Sequence, residues 1–348
     1  MNLSDFDFDL PKRLVASRPV RPRSNAKLLF YCNNLIKDYN FFNLPDLLSE
    51  KDLLIFNNTK VLPAFLYGYV NFHDNDKKRK FELLLVKQIN ENSWFCICKP
   101  LKKIHSGDYI FFSEELNAQV LNKNENGLIL KFKFQGNFFN HLHDVGFMPI
   151  PPYIRKIRNV DDLDKKDYQS IFSKKIGSIA APTASLHFDN KLIKEIKNKG
   201  INYCFLTLHV GIGTFNPIRS ENINDHKMHS EYGEINKETA EMVTKTLKSG
   251  GRVIPVGTTS LRILESLDCK NKIVKPFCGF TDIFIKPGYK FKIASGLITN
   301  FHLPKSSLFI LVSSFVGLET AKKIYSHAIK NDYRFFSYGD GSILFRKF

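Results

Sequence analysis

Three short stretches of this 348-residue chain set proton-carrying or hydroxyl side chains beside glycines or apolar residues, each just after an apolar run. HVGIGTF at 209–215 follows a buried-type strand; Gly211 and Gly213 let the backbone approach a ligand and leave His209 and Thr214 at the strand end. VGTTSLR at 256–262 ends a strand at Gly257 and puts the hydroxyls of Thr258, Thr259 and Ser260 at a helix start, with Arg262 nearby. Free N–H groups and the helix dipole there suit an anion or a ribose, and ordinary capping by Ser260 is the competing reading. TNFHLPKSS at 299–307 sets Asn300 and His302 beside Phe301 and Leu303, with Pro304 expected near the first turn of an apolar helix. Such a mixture fits an apolar, polar-edged ligand such as adenine.

Two further clusters carry titratable groups. DHKMHSEY at 225–232 holds Asp225, His226, His229 and Glu231, and RFFSYGD at 334–340 holds Arg334, Tyr338 and Asp340. His226 and His229 are three apart, a spacing metals also use, but nothing completes a tetrahedral set, so no metal is expected. The G-x-G of 211–213 lacks the third glycine of a dinucleotide fingerprint, VGTTSLR lacks the Gly-Lys-Ser/Thr ending of a Walker A loop, and no G-x-S-x-G elbow exists. Dinucleotide-binding, P-loop and hydrolase readings therefore lose ground.

These loops need strands and helices to hold them. Asp189 can cap a helix carrying Leu192, Ile193 and Ile196 on one side, ended by Gly200 before a strand at 201–210. A second unit repeats the plan: Ala240, Val243 and Leu247 form a stripe, Gly250 and Gly251 close it, and a strand follows at 252–256. Alternation of this kind implies an α/β main domain with a mixed, largely parallel sheet. Residues 53–139 read differently, as short apolar runs between polar turns. At 128–135, Leu128, Leu130, Phe132 and Phe134 fall on one face with Lys131, Lys133 and Gln135 on the other, the period of a half-buried strand. Similar runs lie at 81–87, 93–99 and 108–112, separated by turns expected at 73–80, 90–92 and 126–127. A small antiparallel β-barrel is expected at 61–147, inserted into a domain formed by 1–60 and 148–348. The proline-rich MPIPP at 148–152 would be its rigid exit.

The formal charge is +17, from 51 Lys and Arg against 34 Asp and Glu, which favours a polyanionic partner; an AT-rich coding bias that inflates Lys is the alternative. The six cysteines include no C-x-x-C pair and read as small buried hydrophobes of a reducing, cytoplasmic compartment. The acidic start at 1–11 and the short, serine-interrupted apolar run at 308–316 predict neither secretion nor a membrane span.

Ten segments taken together carry a resemblance. FDFDLPKRLVA (6–16), LLIFNNTKVLPA (53–64), MPIPPYI (148–154), AAPTASLHF (180–188), TDIFIKPGY (281–289) and the five stretches above are similar, in order and spacing, to the ribosyltransferase-isomerases of queuosine biosynthesis, over essentially the full chain. Two departures stand out: Ser185 where the family usually has glycine, and Lys27 where it often has arginine.

The resemblance implies that the ribosyl part of S-adenosylmethionine, a consumed co-substrate, is transferred to 7-aminomethyl-7-deazaguanine at the wobble position of a tRNA with a G-U-N anticodon. Epoxyqueuosine forms, and adenine and methionine leave. Such chemistry needs a base to remove a proton beside the sulfonium, an acid for departing adenine and a donor for an enolate or alkoxide. His187, His209, His229 and His302 form the expected acid/base pool, with Asp225, Glu231 and Asp282 as orienting carboxylates or cation partners. Gly211, Gly213, Thr214, Thr258, Thr259, Ser260, Arg262, Asn300, Tyr338 and Asp340 are the expected donor-binding set. For tRNA, Arg18, Arg21 and Arg23 and the barrel residues Lys77, Lys78, Arg79, Lys80, Lys102 and Lys103 are expected phosphate contacts. A monomer is expected. An S-adenosylmethionine-dependent RNA methyltransferase and a non-catalytic RNA-binding protein are the rival readings; the first lacks its glycine-rich loop, and the second has no need of titratable residues at strand ends.

Overall fold

The fold is taken from a computed structural model that describes residues 1–71, 78–211, 213, 218 and 220–346. Lys77, Thr214 and most of the turn expected at 73–80 lie outside the described residues.

Strand Leu53–Asn57 is buried along its whole length, and its side chains alternate between two cores. Leu54 and Phe56 join the core that holds Phe188 and Ile254, while Leu53 and Ile55 face the one that holds Val243 and Ile263. A strand apolar on both faces must be covered on both, and it is. Helix Asn190–Asn198, capped by Asp189 Oδ1 accepting from Leu192 N at 2.9 Å, lays Leu192, Ile193 and Ile196 on the first face. Helix Lys237–Lys248 lays Ala240 and Val243 on the second.

Five strands run in the order Val253–Pro255, Leu53–Asn57, Asn202–Leu208, Glu231–Ile235, Phe277–Thr281. The first three are parallel and the last two antiparallel, so in this sheet the parallel character expected from the alternation of helix and strand belongs to the first three strands. A second sheet orders Gly296–Asn300, Gly341–Phe345, Lys27–Cys32, Leu35–Asn40, with Gly341–Phe345 parallel to Lys27–Cys32. Parallel bridges Val253 to Ala294 and Val256 to Ile298 connect the two sheets. Across that seam Gly257 N donates to Ile298 O at 2.7 Å, and Ser295 N to Val253 O at 2.9 Å.

Between these strands the chain builds a closed antiparallel barrel, in the order Gly127–Lys133, Ser93–Lys99, Lys78–Asn90, Phe65–Asn71, Tyr109–Phe111, Asn117–Asn124. Its interior takes Leu128, Leu130 and Phe132 as the period-two reading requires. Lys78, Arg79 and Lys80 were expected in a turn and instead begin a long strand, each exposed. The proline-rich exit leads into a one-turn helix, Pro152–Arg155. Pro304 lies outside the helix it was expected to start: Ser307–Val316 is capped by Ser306, whose Oγ accepts from Phe309 N at 3.1 Å. Cys96, Cys98 and Cys204 are buried as expected, but Cys278 is exposed. No helix among the described residues is long and apolar enough to cross a membrane.

Phe56 packs on Phe172 and Phe188 at centroid separations of 4.2 and 4.8 Å. Truncating it to alanine is expected to cost about 3–5 kcal/mol, from lost burial plus the cavity left behind. Urea unfolding of Phe56→Ala beside wild type measures it.

Candidate active site

The seam places two strand ends side by side. Val253–Pro255 runs out at Gly257, whose φ of 96° suits only glycine and turns the chain into helix Thr258–Ser266. The parallel neighbour Gly296–Asn300 runs out into Phe301 and His302. Ligand sites of α/β sheets gather at such carboxyl ends. Here the two ends enclose a cavity of about 250 Å3, roofed by Ala180–Ala184 and by Phe336 and Ser337, and reached past Pro152, Tyr153 and Lys156. Its walls are mostly small or apolar, with Val210, Phe301, Leu303 and Leu308 among them.

Few polar atoms face this space, and most are fixed. Asn300 is clamped: its Nδ2 donates to Phe336 O at 3.0 Å and lies 3.2 Å from His187 Nε2, while its Oδ1 accepts from Thr183 Oγ1 at 3.1 Å. The carbonyl of Phe336 demands a donor, which sets the amide's orientation and makes His187 Nε2 the acceptor. His187 therefore stands behind the wall, stacked on Phe41 at 4.1 Å, and acts on the cavity only through Asn300. Burial pushes its imidazole down to about 3, with Arg334 and Arg23 adding to the shift. His302 is on the wall itself, with Nε2 2.9 Å from Thr299 Oγ1 and its backbone N–H donating to Tyr325 Oη at 3.1 Å. Burial again holds it below its ordinary value, so it is neutral near pH 7. Thr259 Oγ1 is buried without a hydrogen-bond partner among the described residues, beside the open N–H groups of its helix start. Tyr153 Oη accepts from Ser337 N at 2.8 Å and fixes the far wall.

The structure thus brings Thr258, Thr259, Asn300 and His302 onto one surface, with His187 directly behind. Others in the expected set go elsewhere. Val210 faces the cavity, so His209, one residue earlier, points away. It meets Thr59 Oγ1 at 2.8 Å and stacks on Tyr232 at 5.9 Å; burial lowers its pKa, opposed by Glu234 and aided by Lys175. Ser260 is not a cap: its hydroxyl donates to Val256 O at 3.0 Å inside the protein. Glu231 and Arg262 form a buried ion pair, and Glu231 Oε1 accepts from Gly211 N at 3.0 Å, so the pair anchors the glycine loop. A Cβ on Gly213 would stand 2.1 Å from His229 Cδ2, which makes that glycine a requirement of close packing. His229, Asp225 and Asp282 are exposed. Tyr338 reaches Asp164 at 3.3 Å, and the Asp340 carboxylate accepts from Lys27 N and Arg334 N; both sit behind the site.

The N-terminal arginines are engaged internally. Arg18 pairs with Asp161, Asp164 and Asp167, Arg21 with Asp167, and Arg23 donates to the carbonyls of Lys166, Asp167 and Gln169. Lys27 meets the carbonyls of Asn331 and Asp332 at 2.8 and 3.3 Å, so the point charge of lysine serves there. Ser185 occupies a 3-10 turn, Thr183–His187, that needs no glycine. Lys78, Arg79, Lys80, Lys102 and Lys103 are exposed on the barrel. Thr183, Ser337, Tyr153 and Lys156 were not singled out from sequence, although the first three lie within quoted motifs. Among the described residues no group of His, Cys, Asp and Glu is arranged to hold a metal ion.

Fold and cavity together define an α/β ligand-binding protein with an inserted barrel, its site at the joined ends of parallel strands. A family model described as queuosine biosynthesis protein matches residues 3–344, and the chain belongs to that family. It is 46% identical over 345 residues to a protein of Cereibacter sphaeroides named S-adenosylmethionine:tRNA ribosyltransferase-isomerase, covering 99% of each. With the Zymomonas mobilis protein of the same name it shares 45% over 349 residues, covering 100% of both. Among solved structures it resembles the S-adenosylmethionine tRNA ribosyltransferase of Thermotoga maritima, with a TM-score of 0.55, 30% identity, and coverage of 98% of this chain and 99% of that one.

His187 gives the site a pH signature. Its folded-state pKa is lowered from 6.5 to about 3, so below pH 6.5 the unfolded chain binds the proton and the folded one resists it. Stability is complete above that pH and declines as acid is added, by about 2 kcal/mol for this histidine between pH 6.5 and about pH 5. Urea unfolding of His187→Gln across this range is expected to show a correspondingly shallower decline.

Proposed function

We propose that this chain transfers and isomerises the ribosyl moiety of S-adenosylmethionine onto 7-aminomethyl-7-deazaguanine at the wobble position of tRNA with a G-U-N anticodon, releasing adenine and methionine. The reading rests above all on the cavity between Thr258–Thr259 and Asn300–His302, with family membership behind it. S-adenosylmethionine combines an apolar, polar-edged purine with a ribose and a charged sulfonium, and the chain's residues fit that mixture. Small apolar walls suit the purine faces, the clamped Asn300 offers a fixed polar edge, and the unpartnered hydroxyl of Thr259 suits a ribose hydroxyl. When bound, the sulfonium supplies acidity to the carbon beside it.

The residues around it then hold or move protons. His302, neutral and on the wall, is the base we assign; Thr299 fixes its ring through Nε2, so either that nitrogen exchanges partners or Nδ1 serves. His187 is a positioning residue: it orients the Asn300 amide, whose second N–H is committed to Phe336 O. The helix start at Thr258 presents N–H groups and the positive end of its dipole to developing negative charge. The Glu231–Arg262 pair holds Gly211, next to Val210 on the cavity wall. Lys78, Arg79, Lys80, Lys102 and Lys103 are the phosphate contacts we assign on the barrel, in the reading that takes the +17 charge as serving a polyanion.

Incubation with S-adenosylmethionine and tRNA bearing the precursor base tests this. Release of adenine and methionine is expected; S-adenosylhomocysteine, or no turnover, would contradict it. In the same assay His302→Gln is expected to lower kcat by roughly 10²–10⁴-fold, while Thr259→Val acts mainly on the KM for the donor. Equal activity of wild type and His302→Gln would remove that histidine from the chemistry.

A further inference from the structure

The outward face of the barrel carries a second pattern that charge alone does not explain. Along Phe65–Asn71 the inward residues are Leu66, Gly68 and Val70, leaving Tyr67 and Tyr69 outside. Tyr69 pairs directly with Phe111 on the neighbouring strand, where Tyr109 lies on the same face. Tyr69, Phe111 and Tyr109 are 40%, 41% and 37% exposed. A Cβ on Gly68 would stand 2.4 Å from Ile110 Cγ2, so that glycine is what lets the two aromatic-bearing strands close on each other. Lysines alternate with the rings: Lys80 lies 3.6 Å from the Tyr67 centroid, and Lys133 lies 5.1 Å from that of Tyr109.

This row leads to the cavity. Tyr67 and Lys99 line a groove of about 370 Å3 between the barrel and residues 152–160, and the groove shares Pro152 and Lys156 with the cavity. The groove's one barrel carboxylate, Glu82, is taken by Arg155 at 2.8 Å, and Arg155 also covers Phe65 at 4.1 Å. Its exposed lysines, Lys99 and Lys156, therefore set a positive floor.

We infer that the aromatic row Tyr109, Phe111, Tyr69 and Tyr67, with Lys99 and Lys156 beyond it, is a track for single-stranded RNA, on which nucleotides flanking the reacting base stack before the chain enters the cavity. The inference rests on the tRNA reading above and adds where the flanking nucleotides lie. Rings serve unpaired bases of any sequence because each base has a flat face, and lysines between them meet the phosphates. Neighbouring outward residues on one strand are about 7 Å apart, close to the step of an extended RNA backbone.

The test uses full-length protein and an anticodon stem-loop RNA, with binding measured across a salt series. The double substitution Tyr69→Ala with Phe111→Ala is expected to weaken binding roughly tenfold or more, with the salt slope unchanged and binding of S-adenosylmethionine intact. Tyr69→Trp, which keeps a ring, retains affinity and controls for folding. Lys99→Gln instead lowers the salt slope by about one unit or less. Wild-type affinity in the double variant, with wild-type slope in Lys99→Gln, overturns the track. So does a change in sedimentation mass between wild type and the double variant, which would make this face a contact between copies of the chain. Failure of wild type to release adenine would instead sink the functional reading, so the two failures are distinguishable.

Discussion

The backbone hydrogen bond from Gly257 N to Ile298 O, 2.7 Å long, sits where two sheets meet, and the site depends on it. The strands Val253–Pro255 and Gly296–Asn300 belong to different sheets, and the seam is what sets their end loops side by side. With it, the helix start at Thr258 and the Asn300–His302 turn face each other across one cavity. Gly257 carries a second duty at the same point. Its positive φ turns the chain immediately after the bond, and the room around it is ample, so dihedral freedom is what the position demands.

Around the seam, charge is managed by pairing and burial. Apart from Lys156, the wall's side chains are uncharged: His302, kept unprotonated by burial, four threonines and the Asn300 amide, with a second buried histidine, His187, directly behind. The buried ions stand one layer back, where Glu231 meets Arg262 and Asp164 accepts from Arg18 and Arg158. Removing one member of such a pair strands the other, which makes these residues indispensable to the loops they hold without making them part of the chemistry. A low-polarity wall with a few fixed donors suits the faces of a flat, largely apolar ring while fixing its polar edges.

Much of this was legible in the sequence because it is local. The cap at Asp189, the glycine at 257 with hydroxyls after it, and the alternating barrel strand at 128–133 each follow from a few neighbouring residues. What was not legible is what depends on distant partners. His209 was expected in the pocket from its place at a strand end, but whether an end residue faces the site or Thr59 depends on strand phase, and Val210 took the inward position. Arg18, Arg21 and Arg23 were expected to meet phosphate as part of a basic surface; the carboxylates that pair with Arg18 and Arg21 arrive from residues 161–167, and the carbonyls that hold Arg23 from residues 166–169. Tyr153 and Ser337 lie far apart in sequence, and only folding joins them into one wall.

The most direct measurement is a crystal structure with S-adenosylhomocysteine, in which a thioether replaces the reactive sulfonium. The account requires its purine and ribose to lie between Thr258–Thr259 and Asn300–His302, with a ligand hydroxyl on Thr259 Oγ1. Ligand lodged beside His209 and Tyr232, with that cavity filled by solvent alone, would contradict it.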